Sequence, residues 1–335
     1  MASISKQGKG GYRAQIYVQG VRDSGVFRTK REAENWAAAR ETEIRSETKK
    51  SPGEKYTLGE ALRKYGEEIS PTHRGARWEQ IRIAAFLLDL PIDKPIGSIT
   101  TETVGQWRDD RLKTVSAGTI LRELTLLSCV LEAARRDWGW IEVNPVKNVR
   151  RPRAPDHREI TITRPQIRGM LRAMRYSPAT RISTISQSVA VAFLLALRTG
   201  MRAGELCGLT WGHINASHCV LPVTKTKPRN VPLTPKAVRL IEKMRGFDHV
   251  AVFALSPATL DALFRKYRER AKLSGFTFHD SRHTAATWIA ARMSSVGIPA
   301  QQAVFDLCKM FGWKNVSQAL TYYNPTADDI AKRIS

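Results

Sequence analysis

Apolar and polar side chains alternate over residues 12–18 (YRAQIYV), close to the start of the chain. A period of two gives a β-strand one apolar and one polar face, so this segment is predicted to be a half-buried strand. Turn-forming residues follow at Gly20 and in the Asp-Ser-Gly cluster 23–25, and the apolar residues of 26–28 predict another short strand. The beginning of the chain is therefore predicted to form a small three-stranded sheet.

A helix is predicted directly after this sheet. Thr29 and Glu32 have the spacing of a capping box, and the apolar residues at positions 33, 36, 37 and 44 share one stripe that can cover the sheet. The polar face of the sheet would carry Arg13, Gln15, Tyr17 and Arg22. This face is either simply solvated or a DNA-binding surface, because a basic ribbon that carries aromatic residues fits the major groove.

Apolar residues recur at intervals of three and four from residue 56 to residue 149, which predicts a helical bundle. The clearest helices cover 76–88 and 116–136, and no good strand interrupts them. Several basic side chains of this bundle could bind phosphates, and the sequence does not separate them from ordinary surface charges: Arg74, Arg77, Arg82, Arg108, Arg111, Lys113 and Arg122.

Two segments are predicted to be linkers. Residues 46–53 are polar and rich in turn-forming residues. Residues 144–155 contain three prolines, which forbid a continuous helix and favour an extended chain. This second linker is strongly basic and could follow a phosphate backbone between two domains. Its candidate DNA-binding residues are Lys147, Arg150, Arg151 and Arg153.

From residue 159 to residue 335 the pattern predicts a mixed, mainly helical domain with a small antiparallel sheet. Helices are predicted at 165–174, 186–198, 202–209, 235–245 and 257–272. Strands at 218–223 and 230–233 flank the basic segment TKTKPR, which is typical of a β-hairpin. The predicted fold class of the whole chain is multidomain α+β.

Length and net charge limit the classes of function that this chain can have. The chain has 335 residues, enough for two or three domains, and its 54 Lys and Arg against 31 Asp and Glu give a formal net charge of +23. Such a charge favours a polyanionic partner, either nucleic acid or an anionic membrane, over a merely soluble basic protein. The longest apolar run, 189–197, has nine residues, far fewer than the roughly 20 that span a bilayer.

Cysteine spacing and the first residues indicate the compartment. Cys129, Cys207, Cys219 and Cys308 form no CxxC pair and no Cys/His cluster, which argues against a disulfide framework and a zinc site. The first 15 residues contain no apolar stretch of the kind found in secretory signals. We therefore expect a protein of the reducing cytoplasm.

The last domain carries several reactive side chains that are weak signals singly, because each also fits an ion pair, a solvated loop or a packed core. They are Arg202 and Glu205 in TGMRAGEL, Lys225 in the hairpin tip, His279, Arg282 and His283 in HDSRH, Trp313 after a glycine, and the adjacent Tyr322 and Tyr323 on a short helix predicted to begin at about residue 315. Glu205 is placed to pair with Arg202 and to fix its guanidinium plane.

Together, in the order Arg, Lys, His-x-x-Arg, Trp and Tyr, these residues resemble the catalytic residues of the tyrosine site-specific recombinases, the phage integrase family. The resemblance runs through TGMRAGEL, TKTKPRNVPL, FHDSRHTAAT and FGWKNVSQALTYYNP. The upstream segments resemble the other domains of integrases. The expected organisation is an arm-type DNA-binding module at 1–48, a core-binding domain at 56–149 and a catalytic domain at 159–335.

The resemblance implies that Tyr322 cleaves DNA and becomes linked to the 3′-phosphate. Arg202 and Arg282 would hold the non-bridging oxygens, where negative charge increases in the transition state. His279 is the best candidate for the base that takes the phenolic proton, and Lys225 for the acid that protonates the leaving 5′-oxygen.

Three features depart from the family pattern. Trp313 stands where histidine is more common, and its indole N–H could donate a hydrogen bond to the phosphate but could not exchange a proton. The segment 288–309 looks longer than usual, with 293–297 as the expected insertion. Tyr323 adjoins Tyr322, and helical neighbours point about 100° apart, so only one can reach the phosphate. Register favours Tyr322, and Tyr323 stays open.

We expect an integrase-type recombinase that acts on double-stranded DNA as a tetramer in the cytoplasm of a bacterial host. It should need no metal and no other cofactor, because the phosphotyrosine conserves the bond energy. An excision factor or a DNA-bending host protein could join the assembly. Alternatives are an invertase or resolvase of the same family, an enzyme like the type IB topoisomerases, and a catalytically silent DNA-binding protein. The tail after Tyr322 either docks on a neighbouring subunit or folds back on its own domain.

Overall fold

The computed structural model describes residues 2–8, 10–155, 160–222, 228–322 and 331. The chain divides into two units, residues 1–156 and residues 157–335. Its fold is α+β and mainly helical, with one three-stranded and one two-stranded antiparallel sheet in the described residues, in agreement with the predicted fold class.

The first unit begins with the three-stranded sheet and continues with helices. Its elements are β1 (Ser3–Lys6), β2 (Tyr12–Val18), β3 (Val21–Phe27), α1 (Lys30–Lys49), α2 (Pro52–Lys55), α3 (Leu58–Lys64), α4 (Ala76–Asp89), α5 (Thr101–Leu112) and α6 (Ala117–Arg136). The unit holds two separate hydrophobic cores, one between the sheet and α1 and one within the helical bundle.

The second unit is built around one helix whose middle is buried. Its elements are α7 (Arg164–Ala173), α8 (Ile185–Thr199), α9 (Ala203–Cys207), β4 (His218–Leu221), β5 (Arg229–Pro232), α10 (Pro235–Glu242), α11 (Pro257–Arg270), α12 (Asp280–Ser295), α13 (Ala300–Phe311) and α14 (Val316–Leu320). Nearly every residue of α8 from Ser188 to Leu197 is buried, because α10, α11 and α12 pack around it. A smaller core joins α12, α13 and α14.

The predicted alternation in the first strand is confirmed. Ala14, Ile16 and Val18 are buried beneath α1, whereas the side chains between them face outward. The capping box at the start of α1 is also confirmed, since the Thr29 hydroxyl accepts from the Glu32 backbone and the Glu32 carboxylate accepts from the Thr29 N–H, both at 3.2 Å.

The turn predicted at residues 23–25 is wrong. Strand β3 begins at Val21 and passes straight through this cluster, because the hairpin turns earlier, at Gln19 and Gly20. Both turn residues have positive φ, 52° and 87°, as tight two-residue hairpins require. Val18 and Val21 therefore face each other directly across the turn.

Both predicted linkers are partly wrong. Helix α1 continues to Lys49, since good helix formers run to the serine that precedes Pro52. In the second linker, residues 145–148 form a 3₁₀ turn that buries Val146 and Val149 in the core of the bundle. This part of the basic segment therefore belongs to the bundle and is not an extended linker.

The predicted elements of the second unit are found with shifted ends. Arg202 lies just before α9, because its backbone serves as the cap of that helix. The hairpin of β4 and β5 is confirmed, and its tip, residues 223–227, lies outside the described residues. Tyr322 lies in a turn just after α14 rather than on a helix. Within the described part of the chain, no helix is long and apolar enough to cross a membrane.

Candidate active site

Arg202 and Glu205 meet at the junction of α8 and α9. Helix α8 ends at Gly200, whose φ of 65° is the left-handed conformation that glycine adopts without strain. The backbone N–H of Arg202 donates to Oε2 of Glu205 at 2.8 Å, and its Nη1 donates to Oε1 at 3.0 Å. One carboxylate therefore holds both the main chain and the guanidinium of Arg202.

Glu205 is also bound by Arg229, a residue that the sequence analysis did not assign. Nη1 and Nη2 of Arg229 donate to the two carboxylate oxygens at 2.7 and 2.8 Å. Its Nε donates to the carbonyl of Met310 at 3.1 Å, near the end of α13. The Arg229 side chain is only 8% exposed. This fork joins α9, β5 and α13 beneath the site.

The carboxyl group of Glu205 is ionised although it is buried. Burial alone would raise its pKa, but the hydrogen bonds from Arg229 and from the backbone of Arg202, together with both arginine charges, lower the pKa below its ordinary value. One anion therefore faces two cations, and the site keeps a net positive charge.

Arg282 lies on the first turn of α12 and is 5% exposed. Its Nη1 donates to the carbonyl of Gly200 and its Nη2 to the carbonyl of Phe311, both at 2.6 Å. Burial and the nearby charge of Arg202 lower the pKa of Arg282 to about 9, so the guanidinium remains charged at neutral pH. Both acceptors are neutral carbonyls, and an anion in the cleft would therefore be attracted to Arg282.

Three aromatic rings form a stack beside Arg282. The rings of Phe311 and Trp313 are 4.6 Å apart, and those of Trp313 and Tyr322 are 5.3 Å apart with only 1° between their planes. The guanidinium of Arg282 lies 4.9 Å from the Phe311 ring centre and 5.6 Å from that of Trp313. The stack therefore connects the buried cation to the phenol.

Two imidazoles lie next to this stack, one turn apart at the start of α12. Nδ1 of His283 is in hydrogen-bond contact with the Tyr322 hydroxyl, and the two rings are 5.8 Å apart. His279 is exposed. Its ring centre lies 5.2 Å from that of His283, and the two ring planes form an angle of 81°, which is an edge-to-face contact. The structure thus brings to the phenol an imidazole that the sequence analysis noted but did not choose as the base.

Several of these groups line one open cleft of about 650 Å³. Six of the predicted or noted residues line it: Arg202, His279, Arg282, His283, Trp313 and Tyr322. Lys314, which the sequence analysis missed, adds a further cation to the rim. Lys225 and Tyr323 lie outside the described residues. A cleft with two guanidiniums, two imidazoles and a phenol can bind a phosphodiester and present an oxygen nucleophile to it.

The DNA-binding candidates of the first unit are mostly exposed. Arg13, Gln15, Tyr17 and Arg22 share the outer face of the sheet, where the Arg22 guanidinium lies 5.3 Å from the ring centre of Tyr17. Arg74, Arg77, Arg122, Lys147, Arg150, Arg151 and Arg153 are exposed on the bundle and its basic segment.

Some of these basic residues also form hydrogen bonds or ion pairs within the protein. Arg122 donates to the carbonyl of Gly118 at 3.0 Å, Lys147 pairs with Glu132 at 3.0 Å, and Arg151 donates to Thr125 at 3.2 Å. Two other arginines of the bundle, Arg82 and Arg111, pair with Glu123, which is 1% exposed. Arg82 and Arg111 therefore stabilise the bundle.

Among the described residues, no three His, Cys, Asp or Glu side chains lie close enough together to hold a metal ion.

Comparison with known proteins covers both units. The model of the Phage integrase family matches residues 161–329. A putative integrase/recombinase of Haemophilus influenzae is 33% identical over 297 residues, which cover 84% of this chain and 79% of that protein. A shufflon-specific DNA recombinase of Escherichia coli is 31% identical over 69% of this chain and 61% of its own length.

A solved structure has the same fold. The crystal structure of a lambda integrase tetramer bound to a Holliday junction matches with a TM-score of 0.66 at 21% identity, covering 96% of this chain and 94% of that chain.

Proposed function

Because the chain belongs to the phage integrase family, it is a tyrosine recombinase that cleaves and rejoins DNA strands, and we propose that Tyr322 is its nucleophile. One observation carries this proposal: Tyr322 lines the same cleft as Arg202 and Arg282. The hydroxyl attacks the phosphorus, a 3′-phosphotyrosine forms, and the 5′-oxygen leaves.

The arginines act on the charge of the phosphate. Arg202 and Arg282 present permanently charged donors to the non-bridging oxygens, where charge increases as the nucleophile adds. Glu205 and Arg229 keep Arg202 in place through the hydrogen bonds between them. Since these groups are in position before DNA binds, little reorganisation is needed in the transition state.

Protons must move at both ends of the reaction. One imidazole of the pair His279 and His283 accepts the phenolic proton. Lys225, on the hairpin between β4 and β5, is the proposed acid for the leaving 5′-oxygen, with the surrounding cations favouring its loss of a proton. Trp313 orients the phenol by stacking and is a candidate donor of a hydrogen bond to the phosphate.

In this proposal the chain has three domains that act on DNA. Residues 1–48 serve as the arm-type DNA-binding module, 56–149 as the core-binding domain and 159–335 as the catalytic domain. A lambda integrase tetramer binds a Holliday junction, and we propose the same kind of assembly for this chain, acting in the cytoplasm of a bacterial host.

A nicked duplex that carries the recombination site, taken from the DNA flanking the gene, tests the nucleophile. The nick lets the cleaved fragment diffuse away, so the covalent adduct accumulates and is counted on a denaturing gel. We expect an adduct with the wild type and with Tyr323→Phe, and none with Tyr322→Phe at unchanged DNA affinity. An adduct that persists in Tyr322→Phe contradicts the proposal. Relaxation of plasmids that lack the site would instead indicate a topoisomerase.

A further inference from the structure

The hydroxyl of Tyr322 has a specific partner, the Nδ1 atom of His283. The Tyr322 ring also contacts two other rings, since the Trp313 ring is parallel to it and the His283 ring is inclined by only 30°. Both neighbours limit rotation of the phenol. The oxygen that must attack phosphorus is therefore held against an imidazole nitrogen before DNA arrives.

His279 does not occupy the equivalent place. It precedes α12 as the capping residue and is exposed, whereas His283 is half-buried one turn further along the helix. The two imidazoles meet at nearly right angles, so His279 lines the cleft beside His283. The position of Tyr322 against α12 places its hydroxyl at His283.

We propose that His283 is a catalytic residue of this recombinase, the general base that takes the proton of Tyr322 during cleavage and returns it during rejoining. The inference rests on the function proposed above, because it needs Tyr322 to be the nucleophile. Positions 279 and 283 then have different tasks: His283 serves the nucleophile, and His279 faces the open cleft where the phosphate binds.

Charged and titratable groups from several elements line the same cleft as His283: Arg202 before α9, His279 before α12, Arg282 on α12, Lys314 before α14, and Tyr322 itself. Nearby cations disfavour an additional positive charge in such a cleft. The carboxylate of Glu205 is engaged by Arg202 and Arg229.

The transfer balances. The O–H bond of Tyr322 breaks, and its proton binds Nδ1 of a His283 that carries its own hydrogen on Nε2. The freed oxygen electron pair forms the bond to phosphorus, and the bond from phosphorus to the 5′-oxygen breaks. The 5′-oxygen takes its proton from the general acid. In rejoining, the imidazolium returns its proton to the departing tyrosine oxygen.

Single-turnover cleavage of the nicked duplex tests the inference. His283→Asn keeps a hydrogen-bonding atom near the position of Nδ1 but cannot take up a proton, and His279→Asn removes the neighbouring imidazole so that the two pH profiles can be compared. We expect His283→Asn to cleave about 10²–10⁴-fold more slowly at unchanged DNA affinity. The wild-type rate should fall in acid as the base becomes protonated, and this limb should be absent in His283→Asn and present in His279→Asn.

A more acidic phenol at position 322 shows whether His283 acts as a base or only stabilises the structure. With 3,5-difluorotyrosine at position 322, the phenol ionises readily, so the loss caused by His283→Asn should shrink. A structural role of His283 would leave the loss unchanged. A wild-type rate in His283→Asn, or an acid limb that disappears only in His279→Asn, overturns the inference while leaving Tyr322 as the nucleophile. No adduct from the wild type overturns the proposed function itself.

Nitrogen-15 NMR of histidine-labelled wild-type protein is an independent check that does not depend on the folding of His283 variants. The imidazole that contacts the phenol is identified as the one whose nitrogen signals change in Tyr322→Phe. An unprotonated Nδ1 on that ring supports the inference, and a protonated Nδ1 at neutral pH contradicts it.

Discussion

Arg229 binds both carboxylate oxygens of Glu205 through its two terminal nitrogens, at 2.7 and 2.8 Å. The two residues are 24 positions apart, and each is nearly inaccessible to solvent. The pair supports Arg202, which also binds Glu205. Arg229 is therefore a positioning residue, and its substitution should affect both stability and activity.

Arg229→Ala should lower the free energy of unfolding by about 3–5 kcal/mol, because it leaves a buried carboxylate without its main partner. Urea unfolding measures this effect. Arg265→Ala is the matched control, since Arg265 forms an exposed pair with Asp261 and its loss should change stability little. Equal effects of the two substitutions would contradict the role of Arg229.

Acid should weaken the same network. The pKa of Glu205 is lower in the folded protein than its ordinary value, so its contribution to stability is complete above the unfolded pKa and is lost as pH falls through the folded one. The difference in unfolding free energy between the wild type and Glu205→Gln should therefore shrink below about pH 4.3. Other acidic residues are common to both proteins and cancel. A difference that grows on acidification would refute this account.

Trp313→Ala should slow adduct formation about 100-fold, because the Tyr322 ring loses the surface that orients it, and small misplacements of a reacting group are costly. Trp313→Phe keeps an aromatic ring and should retain most of the rate. Trp288→Ala, an exposed tryptophan on α12, serves as the control. If Trp313→Ala cleaves like this control, the stack has no positioning role.

The bundle arginines should separate into two groups. Arg77→Ala should reduce the salt dependence of DNA binding by about one phosphate contact, a change near 0.9 in the slope of log K against log salt. Arg82→Ala should leave that slope unchanged and lower stability instead, because Arg82 binds buried Glu123 at 2.9 Å. Fluorescence anisotropy over a salt series and thermal unfolding distinguish them, and a reversed pattern would contradict the assignment.

Local patterns predicted the elements that depend on neighbouring residues. The strand at 12–18 and the capping box of Thr29 and Glu32 depend only on residues a few positions apart, and the structure shows both. The turn at 23–25 failed because the Gln19–Gly20 pair had already reversed the chain. Turn-forming residues can also occur inside a strand once a hairpin register is set.

The site was predictable in its residue types and in the local pair of Arg202 with Glu205, but not in its contacts between distant segments. Arg229 reads locally as one more basic residue near a hairpin tip, and its partners lie 24 and 81 positions away. The choice between His279 and His283 depends on contacts that span 39 positions. Such pairings are decided by how α12, α13 and β5 pack, which no short motif contains.

Gly200 has consequences for anyone who wishes to redirect this enzyme to new DNA sequences. A methyl group at position 200 would lie 2.2 Å from the ring of Phe311, the first member of the ring stack that ends at Tyr322. The carbonyl oxygen of Gly200 also accepts a hydrogen bond from Arg282. If the first unit binds DNA as proposed, a retargeting library should vary its exposed positions and keep this glycine constant, because a change here would displace Tyr322, the proposed nucleophile, in every variant, whatever sequence it binds.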